Sequence, residues 1–259
     1  MEKHPYFFIN SLEKSVKILE TLAKWGELSV SEIGCKVGMH RGAVHRFLAT
    51  LRELGLLEQS KDSRYRLSMK LFEIGMSVAN RFEVRQIAHP FLVDLQSRYE
   101  ETANLAILDG IEVIFLDKVE SNHLLRMDLS IGHRVPSYCT ALGKVMLAYL
   151  PEKEVRRLFH KVKLEPRTPN TITILSELIE HLDEIKTKGY AISAEEIDTG
   201  ISAIAAPIFD YTETCIAAIS IAGPAQRLTR EIMEKMAQDL STICKTISIR
   251  LGYMKLNPS

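Results

Sequence analysis

Residues 29–57 read SVSEIGCKVGMHRGAVHRFLATLRELGLL, and the spacing of apolar and turn residues in this stretch decides how the first part of the chain folds. Ser29 with Glu32 three residues on is a capping box: the hydroxyl accepts from a free N–H of the helix start, and the carboxylate accepts from the serine's own N–H. A short helix carrying Ile33 and Val37 follows. Gly38 ends it, because glycine enters the left-handed conformation of a helix C-terminus without a Cβ clash. After the turn Gly38-Met39-His40 comes a second helix with Val44, Phe47, Leu48, Leu51 and Leu54 on one face, closed by Gly55. Two short helices joined by a tight turn make a helix-turn-helix.

Upstream, Leu12, Val16, Leu19 and Ala23 at helical spacing predict a first helix over 12–25, with Asn10 as its cap and Glu13 three residues later. Downstream, residues 56–59 and 65–68 predict two short strands around the polar turn Ser60-Lys61-Asp62-Ser63. Three helices and a hairpin give a winged helix-turn-helix over residues 1–70.

The charge pattern supports a nucleic-acid partner. The chain as a whole is balanced, with 33 basic and 33 acidic side chains, but residues 36–70 hold eight basic residues against three acidic ones. A local basic excess in a neutral chain is the footprint of a nucleic-acid module. If the apolar stripe of the second helix faces a core, its 100° step turns Gly42, His45, Arg46 and Ala49 outward, with His40 and Arg41 at its entry. In a helix-turn-helix these positions enter the major groove, where arginine bonds guanine in pairs and small residues allow close approach. The expected DNA contacts are therefore His40, Arg41, Gly42, His45 and Arg46. Ser29 and Ser31 should hold phosphates at the start of the preceding helix, and Lys61 and Arg64 should add wing contacts.

The second half has a different grammar. Residues 71–84 predict a linker helix, and Pro90 is expected to start a further helix carrying Phe91, Leu95 and Tyr99. Residues 105–108 and 111–116 flank Asp109-Gly110, the sequence a two-residue hairpin prefers. Helical patterns near 142–150, 153–159 and 175–188 alternate with strands near 190–193, 204–209 and 216–221, before a closing helix over 229–251. This predicts an α+β domain around an antiparallel sheet across 85–259.

Several ordered segments resemble the IclR family of bacterial transcription regulators. Residues 11–19, 44–51 and Gly55-Leu56-Leu57 are similar to its first helix, recognition helix and wing entry. Gly132 through Pro136, Thr140-Ala141-Leu142-Gly143-Lys144, Gly189-Tyr190, Glu195-Glu196, Gly200, residues 205–210 and residues 217–224 are similar to its C-terminal segments. The resemblance implies a GAF-like effector domain, self-association as dimer or tetramer, and binding to duplex operator DNA, modulated by a small organic metabolite such as a carboxylic acid. It also implies an apolar wall of Met127, Val135 and Ile201, backbone N–H groups near Ala141 and Leu142 facing an anionic end, and polar positions at Ser193, Ala203, Ser220 and Ala222. The two alanines depart from members that bind small oxo-acids, which carry polar or acidic groups there. They imply a larger or less polar effector, or one held through backbone and Ser220. Gly42 and Ala43 likewise stand where the family often has hydroxyl residues.

No apolar run approaches the roughly 20 residues that cross a membrane, and the charged N-terminus has no signal-peptide core, so a cytoplasmic protein with no membrane partner is expected. The four cysteines, Cys35, Cys139, Cys215 and Cys244, are widely spaced and form no zinc pattern. No cofactor or metal is expected. Nucleophile-elbow, P-loop and dinucleotide fingerprints are absent, which removes the common enzyme signals. Three readings remain: an effector-responsive DNA-binding regulator; a small-molecule enzyme or redox sensor using Cys139, six residues from His133; and a winged-helix adaptor that binds protein.

Overall fold

A computed structural model describes residues 9–79, 83–126 and 129–254, and the chain divides into two compact units, Met1–Arg81 and Phe82–Ser259. In the first unit, α1 (Asn10–Trp25), α2 (Val30–Val37) and α3 (Arg41–Glu53) pack with the hairpin β1 (Leu57–Gln59) and β2 (Tyr65–Leu67), and α4 (Met69–Ala79) follows. The capping box at Ser29 forms as read, with both reciprocal bonds, and Gly38 takes φ +68° at the end of α2. Val44 and Leu48 of α3 are fully buried against Ile18, Leu22 and Ile33. An isolated bridge between Leu28 and Tyr65 ties the hairpin back to the α1–α2 connection, a pairing the sequence did not announce.

Two expectations about α1 are corrected. Its cap is Ile9, with no side-chain bond, so Asn10 lies inside the helix. The apolar face is also out of phase with the one read: Ile18 and Leu22 face the core, Leu12 is 63% exposed and Val16 44% exposed. Two overlapping stripes run along this helix, and the docking of α2 and β2 selects between them.

The second unit contains α5 (Glu83–Tyr99), β3 (Thr102–Asp109), β4 (Glu112–Val119), β5 (Arg134–Pro136), α6 (Ala141–Leu147), α7 (Glu152–Leu158), α8 (Leu175–Lys188), β6 (Ala191–Ala194), β7 (Ile201–Phe209), β8 (Cys215–Pro224) and α9 (Arg230–Arg250). The strands form one antiparallel sheet in the order β5-β4-β3-β8-β7-β6. Two cores cover its faces. On one side α5 and α9 bury Leu92, Leu95 and Leu240 against Leu105 and Ile204. On the other, α6 and α8 bury Val145 and Leu182 against Ala106, Ala205 and Ala218. Both faces are covered, which explains why β7 and β8 read as near-continuous apolar runs instead of alternating ones.

Here too the structure moves some boundaries. Pro90 lies inside α5 instead of starting a helix. Asp109 pairs with Glu112, so the hairpin turns on Gly110-Ile111 with φ +62° at Gly110, the glycine-first arrangement. β5, a short edge strand, was not foreseen. Gly143 is indispensable to the packing of α6: a Cβ there would collide with the backbone carbonyl of Ser137.

Candidate functional site

The first unit offers a basic helix face. His40, the N-cap of α3, Arg41, Gly42, His45 and Arg46 are all exposed, as are Ser31 and Lys61, while Ser29 is half-buried. The folded chain divides its cations into two sets. Arg64 donates to the Glu27 carbonyl at 3.1 Å and pairs with Glu32, Arg66 pairs with Glu58 at 2.8 Å, Arg52 donates to Gln59 at 2.6 Å, and Lys70 donates to the Leu54 carbonyl at 2.7 Å. Lys36 lies 3.7 Å from the ring centroid of Trp25. The side chains of Arg41, Arg46, Lys61, His40 and His45 have no such partner among the described residues. Arg64, expected to reach phosphate from the wing, is engaged within the unit through Nη2, with its side chain 40% exposed. The bond from Ser29 and the ion pair with Arg64 hold the Glu32 carboxyl below its usual range, the serine contribution being the larger.

The second unit contains a small, partly open cavity of about 30 Å³. Val135, Ala141, Leu142, Ser193, Ile201, Ala203, Ser220 and Ala222 all line it. Met127 lies outside the described residues. The register explains the gathering of the strand positions: Ser193 pairs with Ala203 across β6 and β7, and Ala203 pairs with Ala222 across β7 and β8. Directly paired residues point to the same face of a sheet. Phe115, Leu129, Thr140, Ile197 and Ser202 also line the cavity and were missed. Strand alternation would turn the Ser202 side chain away from the face of Ile201 and Ala203, and nothing local marks Phe115 or Leu129.

The lining is uncharged. Its hydroxyls are partly engaged: Ser193 Oγ donates to the Cys139 carbonyl at 3.2 Å, Ser220 Oγ accepts from Asn104 Nδ2 at 3.4 Å, and Thr140 Oγ1 caps α6 by accepting from the Gly143 N–H at 3.1 Å. A helix leaves its first N–H groups without intrahelical partners, and here those of Ala141 and Leu142 are at the cavity wall.

Cys139 does not have the environment of a nucleophile. It is fully buried, and burial pushes its thiol up to about 11. Such a thiol stays protonated at neutral pH, whereas a reactive cysteine needs its thiolate. His133, the residue weighed as its partner, is exposed on the β4–β5 connection. Among the described residues no group of three His, Cys, Asp or Glu side chains is arranged to hold a metal, and no helix is long and apolar enough to cross a membrane.

With both regions described, comparison with known proteins gives consistent matches. The model of the IclR helix-turn-helix domain matches residues 11–61, and that of the bacterial transcriptional regulator IclR C-terminal region matches residues 76–249. The chain is 33% identical over 246 residues to the HTH-type transcriptional regulator KdgR of Escherichia coli, covering 95% of this chain and 94% of that protein. Among solved structures, Thermotoga maritima IclR superposes with a TM-score of 0.82 at 39% identity, covering 95% of this chain and all of that one. An IclR homologue from Microbacterium hydrocarbonoxydans complexed with 4-hydroxybenzoate superposes with a TM-score of 0.80 at 26% identity, covering 93% of this chain and 100% of that one.

Proposed function

This chain belongs to the IclR family of bacterial transcriptional regulators, a DNA-binding helix-turn-helix joined to a C-terminal ligand-binding domain, and from that premise we propose which residues read DNA and what kind of molecule controls the reading. The recognition surface is the N-terminal part of α3, with Arg41, His45 and Arg46 on base edges or neighbouring phosphates, Gly42 allowing close approach, Ser29 and Ser31 on the backbone, and Lys61 on the wing. One observation carries this reading. The fold uses Arg52, Arg64, Arg66 and Lys70 to brace itself and leaves Arg41, Arg46 and Lys61 exposed and without a side-chain partner among the described residues.

The effector is a small organic acid in the C-terminal cavity. The free volume of about 30 Å³ is far below the roughly 300–1,000 Å³ of ligand clefts, so the acid enters as the walls move apart around it. With no charged side chain in the lining, the acid group is held by the Ala141 and Leu142 N–H groups and Ser220, while Val135, Ile201 and the two alanines accept an apolar body. A monocyclic aromatic acid of the kind bound by the Microbacterium relative belongs to this class. The active species is a homo-oligomer, supported by the uncovered stripe of Leu12 and Val16 on α1, and its operator is a pseudo-palindrome with half-sites about one helical turn, roughly 34 Å, or a multiple of it apart.

Fluorescence anisotropy on a fragment of the gene's own promoter tests the DNA half: affinity should fall steeply with salt, because each phosphate contact releases counterions. Binding that ignores salt sinks the reading. A thermal-shift screen of the full chain against small carboxylates, 4-hydroxybenzoate included, tests the effector half, since a ligand that binds only the folded state raises its melting temperature. A screen in which no acid shifts the melt, or in which the hit leaves operator binding unchanged, removes it.

A further inference from the structure

Next to the cavity lies a buried charge that the proposed effector contacts do not use. Lys144, the fourth residue of α6, is fully buried, and its three ammonium hydrogens find three acceptors. Nζ lies 2.5 Å from Glu196 Oε1, 2.9 Å from the Ile192 carbonyl and 3.2 Å from His181 Nε2. The imidazole accepts here, so it must be neutral. Burial, with Lys144 adding to it, moves His181 from its usual 6.5 down to about 4, in keeping with that role. Burial also pushes the Lys144 ammonium down and the Glu196 carboxyl up, each opposed by the other's charge. The complete set of acceptors favours the ion pair.

Two of the acceptors adjoin different cavity walls, Lys144 itself comes from a third, and His181 on α8 lies outside the lining. Leu142, two residues before Lys144, lines the cavity from α6; Ser193, next to Ile192, lines it from β6; Ile197, next to Glu196, lines it from the β6–β7 connection. Other ties exist, but each is local. Ser193 Oγ bonds only the Cys139 carbonyl, and the hydroxyls of Thr168 and Thr171 hold the Glu195 and Glu196 carbonyls to the 168–171 turn. Lys144 is the single side chain among the described residues that reaches α6, β6 and the connection together. Glu196 is held through one oxygen: Oε2 is buried with no partner among the described residues. A buried carboxylate oxygen left unpaired is costly, so the carboxylate is drawn in by the ammonium and not by a full set of its own donors.

We propose that Lys144 is a positioning residue of the effector cavity, whose ammonium fixes three of its walls at the spacing an effector meets. The proposal rests on reading the cavity as the effector site, but its test uses the empty protein. Hydrogen–deuterium exchange on the full chain compares wild type with the double variant Lys144→Met and Glu196→Met, which removes both charges at similar volume, a replacement that buried ion pairs often tolerate. The double variant should melt within a few degrees of wild type. Its amides in 142–146, 192–194 and 196–201 should nonetheless exchange at least tenfold faster, because local opening no longer has to break a shared bond, while β3 and α9 stay protected. Wild-type exchange in all three segments of the folded double variant overturns the proposal. Should that variant not fold, Glu196→Gln against Glu196→Ala decides. The amide oxygen of Gln keeps an acceptor for Lys144 and should preserve slow exchange in 196–201, whereas Ala should lose it; equal exchange in the two overturns the proposal. Loss of operator binding or of any effector response in wild type would refute the functional reading without touching these outcomes.

Discussion

The proposed reading head and the proposed effector cavity are built on opposite principles. In α3 the proposed working groups, Arg41 and Arg46, are long, charged and without partners among the described residues, set on a helix whose 3.6-residue period fixes their direction once the apolar face is docked. In the cavity the working groups are small and uncharged, contributed by β6, β7, β8 and the start of α6, and they meet because of strand register and close backbone packing. The first kind of site should tolerate changes around it and fail when a charge is removed. The second should tolerate loss of a polar atom and fail when its spacing changes.

Perturbing the spacing should give the largest effect. Gly143→Ala places a methyl group against the Ser137 backbone, and overpacking at a site with no flexible neighbour should destabilise the second unit by on the order of 3 kcal/mol. Differential scanning calorimetry should show the loss in that unit's transition and none in the first unit's; an unchanged thermogram would mean α6 can shift freely. Removing a charge from the head comes next. Arg46→Ala should weaken operator binding by about 1–3 kcal/mol if the guanidinium pairs with a base, with little loss on random duplex. Equal loss on both would reassign Arg46 to a phosphate.

A smaller effect separates the two classes of cation within the head. Lys61→Ala should lower the slope of log affinity against log salt by about 1, whereas Arg64→Ala should leave that slope unchanged, because its guanidinium already serves Glu27 and Glu32. A reduced slope in Arg64→Ala would return that residue to the DNA contacts.

The smallest expected effect is the pH response of His181, which faces Lys144, Glu184, Lys188 and Arg230. Its folded pKa lies below the unfolded one, so the unfolded chain binds the proton first and this contribution is complete above 6.5 and lost as pH falls toward 4. His181→Gln should therefore narrow its stability gap to wild type over that window, measured by urea unfolding at several pH values. A gap constant with pH would show that the imidazole is not held neutral.

These contrasts match what could be read in advance. The capping box at Ser29, the left-handed Gly38 and the buried Val44, Leu48 and Leu51 of α3 were legible because each depends on residues within four positions, whereas Leu54, read on the same face, is the helix C-cap and 54% exposed. The α1 face was misjudged because Leu12, Val16 and Ile18, Leu22 are both valid helical stripes, and only docking to α2 and β2 chooses the second. The cavity positions came from family resemblance; the periodicity of β6, β7 and β8 alone placed none of them together. Phe115 and Leu129 carry no local mark of a binding wall. The engagement of Arg64 has none either, since its partners lie more than thirty residues away in sequence.

By itself, then, the sequence determined the elements of the reading head, the antiparallel α+β class of the second unit and the family to which both belong, since these follow from capping, periodicity and ordered segments. The tertiary structure alone decided which arginines are free to meet DNA, which stripe of α1 is covered, and how one buried lysine joins three walls of a cavity. The physical reason is range. Propensity and periodicity act within a few residues, whereas strand register, ion-pair choice and the desolvation of Lys144 are settled by groups brought together only when the chain has closed on itself.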